Sequence, residues 1–172
     1  VLSGVAAVVG DPQVRHRGTL GGSLVHSDPA SDLPAAVLAL GGTLVAEGPG
    51  GRRRIAAGDF FTGFFESALA PDEVLVEVEV PRIPGARWNY QKFNRRAQDW
   101  AIVGVAAVHG PGRTGIGLVN MGSTPLRASA TEAALAAGAS LADAAAVADE
   151  GTDPSADLNA SEEYRRHLAR VL

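Results

Sequence analysis

Runs of apolar residues alternate with short polar stretches along the first 42 residues. Residues 2–9 are almost wholly apolar and predict a short helix, since glycine, aspartate and proline follow directly at residues 10–12. Residues 31–42 read SDLPAAVLALGG and predict a second helix. Ser31 or Asp32 can accept hydrogen bonds from its first amides, and Gly41 can end it.

Strand patterns follow in residues 43–80. Residues 43–47 and 52–56 flank the turn sequence GPGG and predict a β-hairpin. Residues 59–65 carry four phenylalanines and predict a short helix or turn. In residues 73–80, valines at every second position alternate with Glu73, Leu75, Glu77 and Glu79, which predicts a strand with one strongly apolar face.

Turn residues at 81–85 separate this part from a second pattern. Three further strands are predicted at residues 88–94, 100–109 and 114–119, as an antiparallel meander. Helices are then predicted to begin near Ser129, Ser140 and Ser161, the first two with an acidic residue three positions later. Strands followed by helices indicate an α+β fold, and we expect two domains, residues 1–84 and 85–172.

Composition narrows the function classes. The chain has 172 residues, 46% of them apolar, with a formal net charge of -4, which disfavours nucleic-acid binding. It has no cysteine, so thiolate zinc sites and iron–sulfur clusters of its own are excluded. The arginine run 52–54 is interpreted as a solvated strand edge. No apolar run reaches the ~20 residues of a membrane span, and we expect a cytoplasmic protein.

Both ends of the sequence suggest an excerpt from a longer protein. The single methionine is Met121, and the helical pattern of residues 161–172 reaches the last residue without a stop signal.

Residues 18–23 read GTLGGS and form the first candidate site. A glycine turn lets backbone approach a ligand closely, and successive amides with the hydroxyls of Thr19 and Ser23 can hold an anion such as a diphosphate. A plain hairpin turn without any ligand also explains the glycines, and the spacing alone slightly favours it. The spacing is not G-x-G-x-x-G, and the single lysine, Lys92, lies far from any Walker A sequence.

Asp32 is the second candidate, with two competing interpretations. Its carboxylate could cap the helix that follows, or it could accept hydrogen bonds from ribose hydroxyls, as acidic residues do in other nucleotide sites.

Several segments together resemble one family. VRHRGTLGGSLVHSDPASDLPAAVLAL, DFFTGFFESALAPDEVLVEVEVP, YQKFNRRAQDWAIVGVAAV, STPLRASATEAAL and ASEEYRRHLARVL are similar to the FAD-binding medium subunit of molybdenum hydroxylases. That family includes aerobic carbon monoxide dehydrogenases and xanthine dehydrogenases, and the likeness covers nearly the whole chain. It implies the second subdomain of a vanillyl-alcohol-oxidase-like FAD-binding domain, followed by a small C-terminal domain of antiparallel sheet plus helices.

The resemblance also implies the cofactor-binding residues. They are expected along the FAD diphosphate, at Thr19, Leu20, Gly21, Gly22 and Ser23, and elsewhere on the cofactor at Asp32, Leu75 and Lys92. The family's first FAD stretch, an A-G-G-x-S-L loop of an N-terminal subdomain, is absent from these residues. We therefore expect the 172 residues alone to be inactive and to bind FAD weakly or not at all.

The function implied is that of an oxidoreductase subunit that passes electrons through FAD to an external acceptor. Iron–sulfur clusters of the 2Fe-2S type and the molybdenum cofactor are expected on a small and a large partner subunit, in a heterotrimer that can dimerise. No catalytic side chain and no metal ligand is expected in this chain. Two alternatives are a stand-alone FAD-dependent oxidase and a non-enzymatic interaction module that has lost FAD.

Overall fold

The computed structural model describes residues 1–172 and contains eight helices and nine strands. The helices are α1 Leu2–Ala6, α2 Pro12–Arg17, α3 Leu20–His26, α4 Asp32–Leu40, α5 Ala57–Phe60, α6 Ser129–Ala136, α7 Leu141–Ala146 and α8 Glu162–Val171. The strands are β1 Thr43–Gly48, β2 Gly51–Ala56, β3 Phe61–Gly63, β4 Glu66–Ser67, β5 Val74–Glu79, β6 Arg87–Phe93, β7 Val103–Gly110, β8 Arg113–Val119 and β9 Leu126–Arg127. The mixed α+β fold expected from the sequence is confirmed. None of the helices has the length and apolar character needed to cross a bilayer.

The first sheet is antiparallel, in the order β2-β1-β5, and it contains the predicted hairpin. The predicted strand at residues 73–80 is present as β5, but its expected apolar face is wrong. Val45 pairs with Glu77 whereas Ala46 pairs with Leu75, so one residue of β5 is left over in a bulge. The bulge turns both Leu75 and Val78 toward the core and leaves Val76 exposed.

The arginine run lies on β2, the edge strand, and its interpretation as a solvated edge is confirmed. Arg52 pairs with Glu47 at 2.8 Å, Arg53 pairs with Glu73 at 2.7 Å, and Arg54 pairs with Glu79. The Arg53 guanidinium holds the pKa of Glu73 at about 2, with help from the amide of Ala70. These exposed pairs protect the sheet edge from further strand pairing.

The second sheet is the predicted antiparallel meander, in the order β6-β7-β8-β9. The short fourth strand, β9, was not predicted. Ser140 and Ser161 cap α7 and α8 as expected, each accepting a bond from the third following amide. The expected capping box at Ser129 is wrong, because Glu132 instead accepts from the Ile116 amide at 2.6 Å and from Arg127. Glu132 therefore ties α6 to the sheet.

Helix α4 joins the two parts of the chain. It contributes Ala35, Ala36, Ala39 and Leu40 to one apolar cluster with Ala106, Val108 and Val119 of the second sheet. Its backbone lies directly on two glycines of β8, because a Cβ at Gly115 would be 1.9 Å from the Ala39 carbonyl oxygen and one at Gly117 would be 2.0 Å from that of Ala35. The alternation of glycines on β8 matches one turn of α4. This contact fixes the start of α4 relative to the second sheet.

Candidate functional site

A groove of about 980 Å³ runs between the two parts of the chain. One wall comes from residues 18–33, the other from Lys92 and residues 98–100, and residues 2–17 close one side. Of the eight expected cofactor residues, six line this groove: Thr19, Leu20, Gly22, Ser23, Asp32 and Lys92. The fold therefore brings six of the residues expected from the sequence together in one groove.

The glycine segment is the start of a helix, so the expectation of a glycine turn is wrong. Thr19 is the N-cap of α3, and its hydroxyl oxygen accepts from the Gly22 amide at 2.9 Å. The amides of Leu20 and Gly21 come in the first turn, where no intrahelical acceptor exists. Backbone donors are thus presented by a helix terminus instead of an irregular turn.

The two glycines of α3 face different neighbours. A Cβ at Gly22 would lie 2.9 Å from the Thr19 hydroxyl oxygen, so a side chain there would displace the capping bond. A Cβ at Gly21 would meet Leu75 at 3.8 Å, which is an ordinary contact. Gly21 and Leu75 do not line the groove but pack against each other beside it. Leu75 therefore supports α3 from the side of the first sheet.

Asp32 is neither a helix cap nor a free acceptor. It is the first residue of α4, Ser31 holds the N-cap position, and neither side chain caps the helix. The Asp32 carboxylate is 5% exposed and accepts from Lys92 Nζ at 2.9 Å and from the Tyr90 hydroxyl. Both partners belong to β6, so this carboxylate links the two walls. A carboxylate has about four acceptor positions, and two are therefore left for a ligand.

Lys92 also has capacity to spare. Its ammonium donates to Asp32 and to the Val8 carbonyl oxygen at 3.1 Å, and its side chain is 10% exposed. An ammonium carries three donors, so one proton is free to bind a ligand in the groove.

Tyr90 is the functional residue that sequence reasoning missed. It lies two positions before Lys92 on β6, so both side chains are on the face of the strand that meets α4. Burial raises the pKa of the Tyr90 phenol, and the neighbouring Asp32 charge raises it further. The phenol is therefore a fixed hydrogen-bond donor. Trp88, Tyr90 and Lys92 occupy every second position of a predicted strand and so share one face, and this pattern was the sequence signal that could have identified Tyr90.

Cations surround the end of the groove near α3. Arg15 donates to the carbonyl oxygens of Val9 and Gly10 at 2.7 and 2.8 Å and so holds the turn after α1. Arg17 lines the groove beside Thr19 and makes no ion pair within the chain. An unpaired guanidinium next to free amides favours a ligand with negative charge at this end.

The groove fits an extended dinucleotide cofactor. Its volume is at the upper end of the ~300–1,000 Å³ that small-molecule sites usually have. The bare backbone at Gly22, the first amides of α3 and Arg17 suit a diphosphate, while Asp32 and Lys92 offer an acceptor and a donor for hydroxyl or carbonyl groups. These features make the groove between the first part of the chain and the meander sheet the candidate cofactor site.

Comparison with known families identifies the class of protein. Residues 1–83 match the FAD binding domain in molybdopterin dehydrogenase, and residues 88–172 match the CO dehydrogenase flavoprotein C-terminal domain. The chain belongs to the family of FAD-binding medium subunits of molybdenum hydroxylases. The resemblance stated from the sequence is thus confirmed, as is FAD as the cofactor of the family.

Individual relatives agree with this assignment. The carbon monoxide dehydrogenase medium chain of Hydrogenophaga pseudoflava is 36% identical over 98% of this chain and 62% of its own length. The 6-hydroxypseudooxynicotine dehydrogenase complex subunit alpha of Paenarthrobacter nicotinovorans is 36% identical over 100% of this chain and 62% of its own length.

Solved structures confirm the fold. Reconstituted CO dehydrogenase from Oligotropha carboxidovorans superposes with a TM-score of 0.90 at 34% identity, covering 97% of this chain and 62% of that chain. Quinoline 2-oxidoreductase from Pseudomonas putida 86 gives a TM-score of 0.85 at 34% identity, covering 98% of this chain and 62% of that chain. The chain therefore spans about three-fifths of the length of these relatives.

Proposed function

We propose that this chain forms one side of the FAD site of an oxidoreductase subunit and that electrons pass through the flavin between a partner subunit and an external acceptor. The observation that carries the proposal is the convergence of Thr19, Gly22, Asp32 and Lys92 on one groove formed by both parts of the chain. FAD, when bound, would supply the redox chemistry, since a flavin can take electrons one at a time from iron–sulfur clusters and pass them on singly or in pairs. The residues supply binding, orientation and electrostatics.

The diphosphate is proposed to lie at the start of α3. The amide of Leu20 would donate to it, Thr19 and Ser23 line the same stretch with their hydroxyls, and Arg17 would balance its charge. Gly22 lines the groove with backbone alone. Leu75 is proposed to act by supporting Gly21 instead of through direct contact.

Asp32 and Lys92 are proposed to orient the rest of the cofactor. Each keeps unused hydrogen-bonding capacity while the other fixes its position, which is the arrangement of a pre-organised polar site. No proton transfer by these groups is required. The Tyr90 hydroxyl, which donates to Asp32 and has a raised pKa, is unsuited to the role of a general base that a stand-alone oxidase would need.

The relatives bear names of medium chains and complex subunits. On that basis we propose a small iron–sulfur subunit with 2Fe-2S clusters and a large molybdenum subunit as partners, in a heterotrimer. We also propose that the chain divides near residue 85 into two domains, residues 1–84 and residues 85–172. It is supported by the separate sheets on either side, although α4 packs against both.

The proposed function is tested by purifying the complete subunit that carries this chain and measuring its flavin content and FAD affinity, with Lys92→Met alongside. Wild-type protein should bind FAD at one per chain, and Lys92→Met should bind it at least tenfold more weakly, because a hydrogen bond to a charged group is worth about 1.5–3 kcal/mol. Wild-type protein without flavin affinity would reject the proposal and favour the interaction module.

A further inference from the structure

Asn120 follows β8 directly and contacts both walls of the groove without lining it. Its backbone amide donates to the Pro29 carbonyl oxygen at 2.7 Å, and its side-chain amide donates to the Ala101 carbonyl oxygen at 3.0 Å. Pro29 is buried between Asp28 and Ser31 in the first wall, and Ala101 follows Trp100 in the second. One residue thus bridges two segments that are 72 positions apart.

The backbone of Asn120 is in the left-handed region, with φ +62°. Asparagine is among the few residues other than glycine that adopt this conformation readily. Glycine would satisfy the backbone here equally well. The asparagine side chain therefore adds something that the turn alone does not require, namely the bond to Ala101.

The segment held by that bond carries groove residues. Residues 94–101 leave the sheet after β6 and return at Ile102, whose amide donates to the Phe93 carbonyl oxygen at 2.7 Å. Arg165 of α8 donates to the Ile102 carbonyl oxygen. Trp100, 71% exposed, lies next to Ala101 with few contacts of its own. The bonds at Ala101 and Ile102, together with the burial of both residues in the apolar clusters, fix its position at the groove.

We infer that Asn120 is a positioning residue that holds the two walls of the groove at a fixed separation. Asp32 with Lys92 links the same walls at another point, through charged groups that face the ligand. Asn120 links the walls from outside the groove, and its contribution to cofactor binding is therefore indirect. The effect on FAD rests on the proposed function, whereas the bridge itself does not.

Two variants of the complete subunit test this inference. Asn120→Gly keeps the left-handed backbone and the amide bond to Pro29 but deletes the side-chain bond. Asn120→Asp keeps the size and directs an oxygen at the Ala101 carbonyl. Asn159→Gly is the matched control, because Asn159 is exposed and its side chain makes no hydrogen bond. All variants carry Trp88→Phe, and any tryptophan of the complete subunit outside residues 1–172 is likewise replaced by phenylalanine, so that Trp100 alone reports.

Both Asn120 variants should lower the fluorescence anisotropy of Trp100 in flavin-free protein and raise its quenching by acrylamide. In Asn120→Gly the thermal midpoint should fall by only a few degrees, the worth of one net hydrogen bond, while FAD affinity measured well below that midpoint falls about fivefold. Asn159→Gly should change neither Trp100 nor FAD affinity.

Unchanged Trp100 anisotropy in both variants would overturn the inference, and so would unchanged FAD affinity in a parent that binds FAD. A fall in affinity that merely follows a fall in thermal midpoint would also overturn it, because that is the result of a purely structural role. A parent that binds no FAD contradicts the proposed function alone, since the anisotropy measurement needs no flavin.

Discussion

The ammonium of Lys92, on β6, lies 2.9 Å from a carboxylate oxygen of Asp32, at the start of α4 and 60 positions earlier in the sequence. Both side chains are nearly buried, so solvent screens their mutual attraction only weakly. The pair brings the two parts of the chain together at the groove. It also sets the positions from which each residue can bind a cofactor.

Asp32→Ala should destabilise the protein by about 3 kcal/mol, because it leaves the buried ammonium of Lys92 without a partner. Glu47→Ala is the matched control: it breaks an exposed pair with Arg52 and should cost less than about 1 kcal/mol. Urea denaturation measures both. Adding Lys92→Met to Asp32→Ala should recover part of the loss. Equal effects of Asp32→Ala and Glu47→Ala would show that the buried pair does not hold the two parts together.

The two glycines of α3 should respond differently to alanine. Gly22→Ala places a Cβ 2.9 Å from the Thr19 hydroxyl oxygen, so it should lose the cap, about 1 kcal/mol, and weaken FAD binding. Gly21→Ala has room beside Leu75 and should keep FAD affinity while gaining about 0.5 kcal/mol from helix propensity. Flavin titration and thermal unfolding of the two variants check this. The opposite order of FAD affinities would contradict the placement of the diphosphate.

Gly117→Ala should be strongly destabilising although alanine is a minimal change. Its Cβ would lie 2.0 Å from the Ala35 carbonyl oxygen of α4, so helix and sheet must separate, at a cost of about 3 kcal/mol. Gly58→Ala is the control, because nothing lies within 4 Å of a Cβ there. Denaturation should remain a single transition for both variants. A transition that splits into two would show that the domains unfold independently.

Arg17→Gln should lower FAD affinity about tenfold, the effect of losing one charge-assisted hydrogen bond. It should also reduce the dependence of that affinity on salt, while leaving stability unchanged because Arg17 has no ion pair to lose. Arg95→Gln, at an exposed arginine that does not line the groove, serves as the control. Affinity measured at two ionic strengths decides the matter, and identical salt dependence in all three proteins would count against a diphosphate at this end.

The elements of this fold could be predicted from sequence where the pattern was local. The hairpin at GPGG, the meander and helix α4 depend on turn residues and apolar alternation, which operate within a few positions. The apolar face of β5 could not be predicted, because a bulge against β1 decides it. Glu132 likewise does not make the expected capping contact, because its carboxylate accepts a hydrogen bond from the Ile116 amide of β8, 16 residues earlier.

The sequence named six residues that the fold brings to one groove, but it did not predict their geometry. Thr19 to Ser23 was expected to be a turn, since two glycines usually disfavour a helix, yet the Thr19 cap and packing against Leu75 stabilise one. The two interpretations of Asp32 both assumed local partners. Its actual partners, Tyr90 and Lys92, are brought near only when α4 packs on the second sheet.

The most direct test of the central claim is amide hydrogen exchange of the complete subunit with and without saturating FAD. The account predicts slower exchange at residues 19–23 and around Lys92 and Trp100, with little change along the exposed edge strand β2. FAD binding accompanied by protection elsewhere, with residues 19–23 and 92–100 unaffected, would contradict it.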